Sequence, residues 1–246
     1  MTEPTRYKQD PITEALIEIR VAPTPHGTKE KLTAAFQSVA ARYPQQLDMM
    51  AMRGEFVIGQ QVGASAQQIP VGTARISEDK RQMFRALGEG FIFNKLAPYP
   101  GWEALRDEAK ELWGIYRATV EPQELQQMSV RYINRLDLPA PVDLTDYLRL
   151  HPVIAIEMGG EMQGFFLQVQ LVQTDLQATC LLNEGVVPPP HESIASLLLD
   201  IQLTRTANVP LNENELWDLF ELFRARKNQI FEACITDKTR ELFNHE

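Results

Sequence analysis

Apolar and polar residues alternate at a period of two along stretch after stretch of this chain, and no other feature narrows the fold as much. Successive side chains of an extended strand point to opposite faces, so this period means a strand with one buried face. Residues 15–21 set Ala15, Ile17, Ile19 and Val21 against Leu16, Glu18 and Arg20. Residues 161–172 set Phe165, Leu167, Val169 and Leu171 against Phe166, Gln168 and Gln170. Residues 193–204 set Leu197, Leu199, Ile201 and Leu203 against Leu198, Asp200, Gln202 and Thr204. Further strands are expected over 55–62, 73–77, 81–86, 90–94, 124–138 and 176–182, with turns at Gly88 and near Thr174-Asp175. Strands joined by links this short pair antiparallel.

Three segments carry the helical period instead. Residues 28–43 place Leu32, Ala35, Phe36 and Val39 on one stripe and stop at Pro44. Residues 102–116 place Leu105, Ala109, Leu112, Trp113 and Tyr116 inward, after the turn Pro98-Tyr99-Pro100-Gly101. The third, 213–243, opens on Asn212 and Glu215 as a capping box, with Leu211 and Leu216 as a hydrophobic staple. Its seam runs Leu216, Phe220, Phe223, Lys227, Ile230 and Cys234, and nothing in the sequence breaks it. A helix longer than the usual 8–20 residues either spans a wide sheet or reaches a partner. A short helix is expected over 144–150.

These elements make an α+β protein of two similar halves, 1–122 and 123–246, divided at Glu121-Pro122. Each half runs strand, helix, antiparallel strands, helix, and a curved antiparallel sheet packs against the helices. No repeat exists residue by residue, and the halves can share one sheet. The 246 residues suffice for one large domain or two small ones. With 44% hydrophobic and 23% charged residues, the chain is expected to fold as a globule.

A net charge of −9 repels nucleic acid and anionic membrane on average, so neither is an expected partner. No apolar run approaches the ~20 residues of a membrane span. Met1-Thr2-Glu3-Pro4 has no leader pattern, so the expected compartment is the cytoplasm. Cys180 and Cys234 are too few for a disulfide framework and read as buried thiols.

Three segments resemble a known family: Pro11-Ile12-Thr13-Glu14-Ala15-Leu16-Ile17-Glu18-Ile19-Arg20, Val130-Arg131-Tyr132-Ile133-Asn134-Arg135-Leu136-Asp137-Leu138-Pro139, and Phe231-Glu232-Ala233-Cys234-Ile235-Thr236-Asp237-Lys238. They are similar to a sporadically distributed bacterial family of uncharacterised proteins of about this length. The resemblance implies no reaction, cofactor or ligand. Its patchy distribution implies an accessory role, such as defence or toxin neutralisation.

Motifs of common chemistries are missing from the sequence. Gly159-Gly160 has no Lys-Ser/Thr after it, and there is neither His-Glu-x-x-His nor Cys-x-x-Cys, so no cofactor or metal is expected. Gly63-Ala64-Ser65-Ala66 lacks the second glycine of a nucleophile elbow. His26, His151, His191 and His245 read as loop or terminal residues.

The informative stretch is 128–138. Alternation puts Met128, Val130, Tyr132, Asn134 and Leu136 on one face, and Ser129, Arg131, Ile133, Arg135 and Asp137 on the other. Arg131 and Arg135 project from the same side, where guanidinium forks suit carboxylate or phosphate. If the opening strands of the halves pair, Glu14, Glu18 and Arg20 become their counterparts. Two readings stay open. The charges form cross-strand salt bridges, Glu14 and Glu18 against Arg131 and Arg135, or they form a ligand site. Asn134, polar on an apolar face, either bonds a backbone group in the core or marks a bulge. Arg224, Arg226 and Lys227, joined by Lys238 and Arg240, read as a solvated helix face or, alternatively, as a contact for an acidic partner or a nucleic-acid backbone.

The expected function is a non-enzymatic binding or interaction protein that meets itself or another protein through its last helix or a sheet edge. The alternative is a sensor or enzyme that takes an anionic small molecule at the arginine face.

Overall fold

A computed structural model describes residues 7–57, 63–160 and 162–244. In chain order the elements are β1 (Ile12–Val21), α1 (Lys29–Ala35), β2 (Gln45–Val57), β3 (Gly63–Ile76), β4 (Gln82–Leu87), β5 (Gly90–Leu96), α2 (Trp102–Val120), β6 (Leu125–Pro139), α3 (Leu144–Tyr147), β7 (Phe166–Gln173), β8 (Ala178–Val187), β9 (Ile194–Arg205), α4 (Glu213–Cys234) and α5 (Asp237–Asn244). The nine strands form one antiparallel, unclosed sheet in the order β2-β3-β4-β5-β1-β6-β9-β8-β7. The helices pack against it, as the α+β reading expects.

The two halves meet at β1 and β6, which pair antiparallel with Ile17 opposite Val130. Each opening strand is flanked on its other side by the last strand of its own half, β5 or β9. Earlier strands of each half then step outward to the edges β2 and β7. An antiparallel pair is locally two-fold symmetric, so the pairing relates the strand orders of the halves by an approximate two-fold axis.

The period-two faces map onto the packing. Ala15, Ile17, Ile19 and Val21 are wholly buried, as are Met128, Val130, Tyr132, Leu136 and Leu138, and Leu199, Ile201 and Leu203. Against them lie Leu105, Leu112, Trp113 and Tyr116 of α2 and Leu216, Phe220 and Phe223 of α4. Stacking of Trp113 on Tyr116, at 5.3 Å between ring centroids, continues an aromatic cluster through Phe91 and Phe84.

Several boundaries differ from expectation, each for a packing reason. The helix expected over 28–43 is α-helical only to Ala35, then tightens into a 3₁₀ turn, Phe36–Val39, that sinks Phe36 and Val39 into the core. The strand expected over 55–62 is part of the longer β2, and 58–62 lie outside the described residues. Its partner β3 begins ten residues before the expected strand over 73–77. Between 162 and 165 the chain is not strand, so β7 is shorter than the alternation suggested. Only one turn of the helix over 144–150 forms.

The largest correction concerns the last helix. The chain leaves helix after Cys234, with Ile235 extended at φ −106°, ψ 156°, and restarts at Asp237. Ile235 bridges Leu148, while the Arg149 amide donates to the Cys234 carbonyl at 2.8 Å and the Thr236 amide to the Tyr147 carbonyl at 3.0 Å. Tertiary hydrogen bonds thus replace helical ones at two β-branched residues, Ile235 and Thr236. Asn212 caps α4 as expected, its side chain accepting from the amides of Asn214 and Glu215.

Candidate functional site

The face of the sheet turned away from the helices carries the charges. On β1 it presents Glu14, Leu16, Glu18 and Arg20; on β6, Ser129, Arg131, Ile133, Arg135 and Asp137; on β9, Ser196, Leu198, Asp200, Gln202 and Thr204. Register decides what each side chain meets. Leu16 lies opposite Arg131, Glu18 opposite Ser129, and Glu14 opposite Ile133. On the other side of β6, Arg131 faces Gln202 and Ile133 faces Asp200.

The opening strands therefore pair, but the expected Glu14 and Glu18 bridges to Arg131 and Arg135 do not form. Arg131 instead makes a two-pronged bond to Asp200, Nε to Oδ1 at 2.8 Å and Nη2 to Oδ2 at 2.7 Å. That bond outweighs desolvation and raises the guanidinium pKa above its ordinary value. Arg135 donates to Asp137 at 2.9 Å, to the Ser196 hydroxyl at 2.8 Å and to the Pro188 carbonyl at 3.0 Å. Glu18 accepts from Arg20 at 2.7 Å and from Ser129 at 3.3 Å. Glu14 accepts from Asn94 at 3.1 Å. Leu16 lies straight across from Arg131 on β1 and offers no carboxylate, while on β9 Asp200 lies one diagonal step away.

The five residues singled out from the sequence thus share one face but fall into separate groups. Glu18 and Arg20 form one, Arg131 with Asp200 a second, Arg135 with Asp137 and Ser196 a third, and Glu14 with Asn94 a fourth. The second extends across the sheet: Asn183 donates to Asp200 at 3.1 Å and Gln168 to Asn183 at 2.7 Å, reaching the edge strand β7. Asp200 was legible as a member of this face, but its partnership with Arg131 required the strand order.

Two further residues were not singled out. Arg85 of β4 lies on the same face, opposite Ile92, and its Nε is buried without a hydrogen-bond partner. Glu184 of β8 lies on the helix face opposite Leu199, 1% exposed, with neither carboxylate oxygen hydrogen-bonded. Burial pushes its pKa from 4.5 to about 7. Extending the alternation Ala178, Cys180, Leu182 by one step would have found it. Lys227 corrects the solvated-face expectation: it is buried, its Nζ 3.9 Å from the centroid of the Tyr132 ring, and burial lowers its pKa to about 8. Its neighbour Arg226 pairs with Asp175 at 2.6 Å.

Asn134 follows the first reading offered for it, a bond to a backbone group in the core, while the extra residue of the nearby register shift is on β1 and the alternation of β6 continues unbroken. It is buried, donates to the Leu199 carbonyl at 2.9 Å, and sits where the β1–β6 register shifts between Ile12 and Glu14. Cys180 and Cys234 are buried thiols, raised by desolvation to about 11 and about 12. Among the described residues no group of three His, Cys, Asp or Glu side chains is arranged to hold a metal ion. Nor is any helix among them long and apolar enough to cross a membrane.

No family model matches the chain, and no curated protein matches it. Among solved structures it is similar to DynU16, a protein in the dynemicin biosynthetic locus, at 11% identity over 94% of this chain and 99% of that one. The TM-score of 0.20 is too low for this likeness to bear on fold or function.

Proposed function

We propose that this chain is a non-enzymatic interaction protein that meets its protein partner through the edges of its sheet. The observation that carries this reading is the state of the margins. The apolar seam of α4, offered by the sequence as a partner surface, is buried against the chain's own sheet at Leu216, Phe220 and Phe223. The edges are different. At one margin β2 and β3 pair over their whole length, whereas only Gly72–Ile76 of β3 is backed by β4. The remainder is a two-stranded ribbon, and Met50 and Met52 on it are exposed. At the other margin β7 exposes Phe166, Leu171 and Val172. Open strand edges pair readily with other chains unless charge or proline protects them.

Site-specific photo-crosslinking in the native host tests this. Discrete protein adducts from a crosslinker at Met52 or Phe166, and none from one at Lys110 on α2, are expected. Absence of adducts from both margins overturns the reading.

One observation favours a second reading, an anionic ligand on the open sheet face. Arg131 and Arg135 already hold carboxylates, whereas the buried Nε of Arg85 has no hydrogen-bond partner among the described residues. Stabilisation by phosphate or sulfate that disappears in Arg85→Gln is the expected result; no anion-dependent shift in melting temperature removes this reading.

A further inference from the structure

We infer that β7 is a homodimerisation strand, pairing antiparallel with β7 of a second copy about a two-fold axis through Val169. The inference rests on the reading of the sheet edges as interaction surfaces and names the occupant of one of them.

Sequence symmetry points to a second copy rather than an unrelated partner, and two further features leave the edge free to take one. Residues 167–171 read Leu-Gln-Val-Gln-Leu, a palindrome centred on Val169. Antiparallel self-pairing about that centre sets Leu167 against Leu171 of the second copy, Gln168 against Gln170, and Phe166 against Val172. The two largest exposures on the strand, Val172 at 76% and Phe166 at 72%, are thereby placed on each other. An isologous interface requires such self-complementarity, residue i meeting j and j meeting i.

The second is hydrogen-bond parity. The Val186 amide donates to the Phe165 carbonyl, and the pairing of β7 with β8 continues that register as Leu167 with Glu184 and Val169 with Leu182. Backbone groups of an antiparallel strand alternate sides. Residues 165, 167, 169 and 171 therefore bond inward to β8, and 166, 168, 170 and 172 direct their amides and carbonyls out of the sheet. No backbone hydrogen bond from another segment reaches them among the described residues. In the palindromic register each outward residue meets an outward residue, 166 with 172 and 168 with 170. A register shifted by one residue would set outward groups against inward ones.

The third is the lack of protection. The eight residues of β7, Phe-Leu-Gln-Val-Gln-Leu-Val-Gln, include no charge and no proline, the usual means of blunting an edge. Outward-directed charges would oppose the like charges of a second copy, so a neutral strand suits self-association. Val153, Ile154, Met158 and Met162, in the stretch of chain before β7, are exposed as well. An edge pairing alone falls short of the roughly 800 Å² per partner of a stable interface, so a dimer held by β7 is expected to be a weak one.

Light scattering across about 1–100 µM protein, the range in which such interfaces dissociate, tests the inference on the full chain. The wild type is expected to move toward twice the chain mass. Gln170→Pro removes an amide that faces away from β8, so the monomer fold tolerates it and the dimer is expected to be lost. The register has its own test. Gln168→Lys with Gln170→Lys sets like charges across the axis and should dissociate the dimer at least tenfold. Gln168→Lys with Gln170→Glu sets opposite charges there and should retain it. Both pairs lose the Gln168 bond to Asn183 equally, and circular dichroism checks their fold. A wild type that stays monomeric, or a dimer indifferent to Gln170→Pro, or charge pairs that behave alike, overturns the inference. A monomer that still gives adducts with a different protein at Met52 or Phe166 would leave the broader interaction reading standing.

Discussion

Arg131 on β6 and Asp200 on β9 hold each other through two parallel hydrogen bonds of 2.8 and 2.7 Å, although neither lies straight across from the other in the ladder. The pair is unequal in exposure, 39% for the arginine side chain and 10% for the aspartate. Removing the arginine leaves a nearly buried carboxylate with Asn183 as its remaining donor. Removing the aspartate leaves a guanidinium that can reach water. Arg131→Ala should therefore cost more, about 2–3 kcal/mol against about 1–2 kcal/mol for Asp200→Ala. Urea denaturation of both variants and their double mutant checks this, with a coupling of at least about 1 kcal/mol expected. Zero coupling would sink the idea that this pair organises the face.

Glu184 predicts a pH dependence of stability with a definite sign. Its pKa is about 7 in the folded chain and 4.5 as the ordinary value. Below 4.5 it is protonated in both states and costs nothing through charge. As pH rises from 4.5 to 7 the unfolded chain releases the proton and the folded chain keeps it, so stability falls. Above 7 the whole penalty is present, on the order of 3 kcal/mol. Glu184→Gln should raise the melting temperature at pH 8 and change it little at pH 4.5. An equal effect at both pH values would mean that Glu184 is not a buried acid of this kind.

Cys180 and Cys234 should be inert. Desolvation holds both thiols far above neutral pH, so the nucleophilic thiolate is scarce, and both are buried. A thiol-reactive disulfide reagent at pH 8 should modify neither until denaturant is added. Rapid labelling of native protein at either position would contradict the packing of α4 on β8.

The interruption between α4 and α5 should depend on Thr236. Its hydroxyl donates to the Asp146 carbonyl at 2.6 Å and accepts from the Thr239 amide at 3.4 Å, the place of an N-cap. Thr236→Ala should cost about 1–2 kcal/mol, and Thr236→Ser, which keeps the oxygen, much less. Chemical denaturation of both variants distinguishes capping from simple loss of volume.

The break at Ile235 also shows where sequence reading stops. The seam from Leu216 to Cys234 was legible because helical period is a local property. Ile235 and Thr236 are β-branched and Thr236 is a favoured N-cap, but it is the backbone groups of Tyr147, Leu148 and Arg149, about ninety residues away, that hold the chain extended there. Lys227 is a similar case. A lysine inside an apolar seam was visible in the sequence, yet whether it bends out to water or lies over Tyr132 depends on what the sheet places beneath it.

What the sequence determined by itself was direction: which side chains of each strand face the helices and which face away. Arg131 and Arg135 were assigned to one face of their strand, and Glu14, Glu18 and Arg20 to one face of theirs, because alternation follows from the geometry of a single strand; that the two faces are one depends on the pairing of β1 with β6. Partnership was decided only by tertiary structure. Arg131 meets Asp200 rather than Glu14 or Glu18 because β6 lies between β1 and β9 in a particular register, and a hydrogen bond reaches only about 3 Å. Burial was decided there too. Alternation marks Glu184 as facing the helices, but that it lies there with neither carboxylate oxygen hydrogen-bonded is a result of what packs around it.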